Sequence, residues 1–89
     1  MFGPRLKGVV LYGSEARGDA EPDSDIDLMV LLEGPVRWSR DLATITRRLY
    51  PLQLEIADRP IHAIPVPEAD YRDGTSLLYR EAQREGIAA

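Results

Sequence analysis

A chain of 89 residues has room for one domain and a small core. It contains no cysteine, which excludes disulfides and thiolate metal sites and fits a reducing cytoplasm. With 15 acidic and 11 basic residues, its formal net charge of −4 argues against direct nucleic-acid binding through general phosphate attraction.

The opening Met1-Phe2-Gly3-Pro4-Arg5 is too short and too polar for a signal peptide. No apolar stretch approaches the roughly 18 to 20 residues of a membrane span, so the expectation is a cytoplasmic protein that does not meet a membrane. Residues 6–12 form an apolar, β-branched run that reads as a buried central strand. Gly13 ends it. Ser14 is placed to cap a helical turn through Arg17, which Gly18 closes. A polar loop over 19–24, with Pro22 inside it, leads to a second strand over 26–32.

Glu33-Gly34-Pro35 breaks that strand. Trp38, Leu42, Ile45 and Leu49 then fall at helical spacing, which predicts a helix over 37–50 stopped by Pro51. The alternation of Leu52-Gln53-Leu54-Glu55-Ile56 predicts a half-buried strand. Asp58-Arg59 turns the chain. Residues 61–66 read as a strand, and Pro60, Pro65 and Pro67 place it at a sheet edge. Residues 68–73 read as mixed-charge surface. A last helix over 76–85 is capped by Thr75 or Ser76 and ended by Gly86. The expected class is α/β (α+β), a small mixed sheet with helices packed on one side; strand order does not follow from the pattern.

The chemistry concentrates between residues 13 and 27. Gly13-Ser14 leaves one strand, and Asp25 and Asp27 open the next. Side chains alternate along a strand, so these carboxylates point the same way, with Cα atoms about 6.5 Å apart at roughly 3.3 Å per residue. Two carboxylates so placed suit one or two divalent cations. A calcium loop does not fit, because the sixth position after Asp23 is Leu28 and the twelfth is Gly34. A phosphate-binding Walker loop does not fit either, since no Gly-Lys-Ser/Thr follows Gly13.

Tyr12-Gly13-Ser14, Ala16-Arg17-Gly18 and Ser24-Asp25-Ile26-Asp27-Leu28 together resemble the signature of the minimal nucleotidyltransferase domains of the polymerase-β superfamily. The specific part spans residues 6–33. The resemblance implies a polymerase-β-like fold and transfer of a nucleoside monophosphate, AMP from ATP, with Mg²⁺ or Mn²⁺. It makes Asp25 and Asp27 the metal ligands and catalytic pair, with Gly13, Ser14, Arg17 and Ser24 at the nucleotide. It also implies an acceptor or partner of the all-helical HEPN type, with the chain acting as an antitoxin; a further oligomer is compatible.

Two departures from the family pattern matter. A third carboxylate is expected on a later strand, yet 61–66 contains no acid; Glu55 and His62 are the candidates to complete the shell or serve as base. The helix that usually precedes the first strand has only five residues available. Two readings stand: an enzyme, or a binding module of the same fold acting by protein–protein contact alone.

Overall fold

In the computed structural model, the described residues are 2–18, 21 and 24–88. The loop expected over 19–24 therefore falls partly outside them, at residues 19, 20, 22 and 23. The elements are a 3₁₀ turn at Gly3–Arg5, β1 (Leu6–Tyr12), α1 (Ser14–Arg17), β2 (Ile26–Leu32), α2 (Trp38–Glu55), β3 (Ile61–Pro67), α3 (Glu68–Asp73), α4 (Leu77–Glu85) and β4 (Ile87–Ala88). The strands form one mixed sheet in the order β3-β2-β1-β4. β1 is antiparallel to β2 and to β4, whereas β2 and β3 run parallel across the α2 connection.

Successive residues of β2 face opposite sides of the sheet, and each side has its own core. Met29 and Leu31 join Val10, Val66 and Ala82, with Tyr71 and Tyr79 packed against them from α3 and α4. Val30 and Leu32 join Ile45 and Ala63, with Leu49 of α2 alongside. Helices thus cover both faces, not one. The alternation in β2 is masked in the sequence because every residue from Leu28 to Leu32 is apolar, as two-sided burial requires. Met29, Leu32, Ile45 and Val66 are fully buried, each contributing about 1.5–3 kcal/mol relative to exposure.

Two further expectations are corrected. α2 continues through Pro51 to Glu55, so residues 52–56 are helical and not a strand. Pro51 removes only its own N–H from the helix, and Ile45, Leu49 and the Gln53 side chain hold the helix to the sheet on both sides of it. Residues 68–73 form α3, begun by Pro67 and ended by Gly74 in the left-handed region, and with no buried residue they keep the surface position expected of them. β1 is interior only where β4 pairs it, at Val10 and Leu11, so its first half is not a buried central strand. The edge position of β3, the Ser76 cap on α4 and Gly86 at its end match the sequence reading. No helix among the described residues is long and apolar enough to cross a membrane.

Candidate active site

The motif residues gather at one end of the sheet. Tyr12, the last residue of β1, pairs with Asp27 on β2, and Asp27 pairs in turn with His62 on β3. All three lie on the face covered by α3 and α4, because they share the parity of Val10, Met29 and Ile64. Gly13 follows with φ at +76°, in the region that favours glycine. A Cβ there would stand 2.7 Å from Oδ2 of Asp27. The turn and the carboxylate are therefore in direct apposition, and the glycine makes that approach achievable. The Gly13 carbonyl accepts the Arg17 N–H at 3.2 Å, so Ser14 is the first residue of α1 and does not cap it.

Asp25 sits just before β2. The Ile26 N–H donates to the Pro60 carbonyl at 2.8 Å, and Arg59 Nε donates to the Ser24 carbonyl at 3.0 Å. These bonds stitch the entry of β2 to the entry of β3. His62 Nε2 then lies 3.0 Å from Asp25 Oδ2, with both side chains more than half exposed. Ser24 uses its hydroxyl locally, accepting the Glu21 N–H at 2.7 Å.

Burial raises the Asp27 carboxyl above the usual range; protonated His62 opposes this and the charge of Asp25 adds to it. Burial, then the negative charge of Asp27, raises the Tyr12 phenol. Asp27 thus carries a charge that its surroundings incompletely compensate. Hard oxygen donors in this state fit a divalent cation, and Mg²⁺ is commonly held by one or two carboxylates plus substrate phosphates. Asp25 and Asp27 are the residues that could hold it.

Of the two candidates for completing the shell, the fold brings His62 to the aspartates. Glu55 is exposed in the last turn of α2, and among the described residues no three of His, Cys, Asp and Glu converge as a metal cluster. Arg17 extends toward α4, its Nη1 3.6 Å from Glu85 Oε2. Tyr12, Gly13 and Arg17 line one wall of a cavity of about 140 Å³ beside the turn, and Leu78, Glu81 and Glu85 line the other. Tyr12 stood in the motif without a role of its own; Glu81 and Glu85 were not legible as site residues, their one signal being a spacing of four that puts them on one face of α4.

A family model described as a nucleotidyltransferase domain matches residues 2–87. The chain belongs to the nucleotidyltransferase family. The match runs from the lead-in to β4, well beyond the Gly13–Asp27 motif, and makes transfer of nucleotidyl groups the chemistry to be explained. None of the curated proteins matches the chain.

Proposed function

We propose that this nucleotidyltransferase-family chain moves a nucleoside monophosphate, AMP from ATP, onto a hydroxyl of a protein acceptor. In this reading it is a cytoplasmic antitoxin of the minimal nucleotidyltransferase type, and its acceptor is an all-helical HEPN-type partner. The observation that carries the reading is the apposition of the Gly13 turn and the Asp27 carboxylate, with Asp25 one residue before β2. That geometry puts a glycine-permitted backbone approach next to two hard oxygen ligands.

The acceptor oxygen attacks the α-phosphorus of the nucleotide. The bond from that phosphorus to the α–β bridging oxygen breaks, and pyrophosphate leaves with the electron pair. Asp25 and Asp27 would hold a Mg²⁺ or Mn²⁺ ion, which would supply electrostatic stabilisation of the transferring group. Ser14 and the Gly13–Ser14 amides donate to phosphate oxygens, and Arg17 adds a guanidinium at the same turn. His62 takes the acceptor proton, imidazole being the side chain most often used for that role.

The test is incubation with α-labelled ATP, Mg²⁺ and the helical partner. Label should move to the partner, and Asp25→Asn or Asp27→Asn should abolish the transfer. Label transfer that survives both substitutions would overturn the assignment. The second reading, a binding module acting by contact alone, draws support from His62 standing opposite the aspartates where an acid is expected. Under it the complex forms, no label moves, and both variants still inhibit.

A further inference from the structure

The outer side of α2 carries a second stripe unrelated to the core. At 3.6 residues per turn, Ala43, Thr46, Tyr50 and Leu54 fall on one line, away from the Ile45 and Leu49 face that meets the sheet. All four are exposed, Tyr50 at 58% and Leu54 at 62%. Thr46 and Tyr50 also form one wall of an apolar groove whose other wall is Ile61 and Ala63 of β3. A line at spacings of three and four is a ridge of the kind against which a second helix packs.

The chemistry of the edge excludes a strand as the occupant. Amides alternate sides along β3, and the outward side is that of residues 61, 63, 65 and 67. Ile61 already donates its N–H to Gln53 Oε1 at 2.7 Å, and Pro65 and Pro67 have none. Only Ala63 retains a donor there, too little for a ladder.

Charge specifies the occupant further. Arg37, Arg40, Arg47 and Arg48 place four of the chain's 11 basic residues within twelve positions. The one acid among them, Asp41, is buried and bonded to Arg5, with Arg40 Nε 3.8 Å from its Oδ1; Arg40 is nonetheless 61% exposed and stays open to a partner carboxylate. Arg40 and Arg47, two turns apart and both exposed, edge the stripe on the side opposite β3. A nucleic acid is disfavoured, since the row is short, the chain is acidic overall and the groove beside it is apolar.

We infer that the α2–β3 groove is the docking site for an amphipathic helix of a protein partner, with its apolar stripe flanked by Asp or Glu facing Arg40 and Arg47. The surface is separate from residues 13–27, so this inference stands or falls independently of the proposed transfer. The probe is a synthetic 18-residue helical peptide with Leu at heptad spacing and Glu along one flank, matching the 18 residues of α2. Its twin carries Lys at the same positions. Titration of the full chain, followed by NMR, should shift α2 and β3 signals, with the Glu peptide binding at least tenfold tighter. The double variant Arg40→Glu, Arg47→Glu should reverse that preference. Tyr50→Lys should weaken both peptides at least tenfold while circular dichroism is unchanged. Absence of binding, no preference between the peptides, or shifts centred elsewhere would overturn the inference. So would a dimer of the free chain dissolved by Tyr50→Lys, or an oligonucleotide that binds this face in place of the Glu peptide.

Discussion

Gly13→Ala separates what the turn does for folding from what it does for the site. The backbone at Gly13 has φ of +76°, and an L side chain there costs about 1–2 kcal/mol. In a domain of this size that lowers the melting midpoint by roughly 5–15 °C. The second consequence is local. The new methyl would stand 2.7 Å from Asp27 Oδ2, closer than real contacts allow, so the carboxylate must move by a few tenths of an ångström or more. Displacement of a reacting group on the scale of 1 Å can cost about 10²-fold in rate.

Gly34→Ala is the control. Gly34 has φ of +79° with nothing within 4 Å of the added Cβ, so it carries the backbone cost without the contact. The two variants should lose similar stability in urea titrations. Only Gly13→Ala should also lose Mn²⁺ and nucleotide binding, by tenfold or more, when line broadening is followed by NMR. Equal nucleotide and Mn²⁺ binding by the two variants would refute the idea that the turn positions Asp27.

Asp27 is held above the usual carboxylate range chiefly by burial, so its contribution to stability is present at low pH and is lost as pH rises through its folded value. Asp27→Asn should therefore melt higher than wild type at pH 7 without metal, while losing the stabilisation that Mn²⁺ brings. Asp41 behaves oppositely: burial pushes it up, but the Arg5 hydrogen bond, the Arg37 N–H and the charges of Arg5 and Arg40 outweigh that and hold it low. Its stabilisation is complete above about pH 4 and is lost as pH falls through the lowered value, so Asp41→Asn should flatten the acid limb of the stability curve. Pro51→Ala restores an N–H to the interior of α2 and should raise stability by about 2 kcal/mol in chemical denaturation, since proline costs about 3 kcal/mol there and returns part through the unfolded state.

The motif was readable because its chemistry is local: strand, glycine turn, two acids at a spacing of two, strand. The strand order was not, since the β2–β3 pairing joins residues 35 apart and nothing in either run names its neighbour. Pro51 misled for a physical reason. A proline forbids one hydrogen bond, and tertiary contacts on both sides of it, through Leu49 and Gln53, outweigh that loss. The false strand 52–56 followed from that stop, because Leu52, Leu54 and Ile56 alternate by chance on a helix whose outward side is left apolar. Glu55 was carried to the wrong element by the same error, and His62 was placed correctly because its own prolines fixed it at the edge.

His62→Asp tests whether the imidazole has replaced a carboxylate or taken a different task. Aspartate there would put a third acid in register with Asp27 and near Asp25. In the metal-free chain the added like charge should lower stability at pH 7, because Asp27 is already raised by burial and by Asp25. With metal the sign reverses: a third hard oxygen donor should tighten Mg²⁺ about tenfold or more, equal to about 1.4 kcal/mol of differential binding. If His62 serves as the base, the variant binds metal better yet transfers more slowly, and the acid limb of its pH–rate profile moves. If His62 is instead a ligand, the wild type should prefer Mn²⁺, which accepts imidazole, over Mg²⁺, which takes oxygen. That preference would then vanish in the variant while Mn²⁺ binding weakens. Weaker Mn²⁺ binding by His62→Asp would therefore refute the base role assigned here.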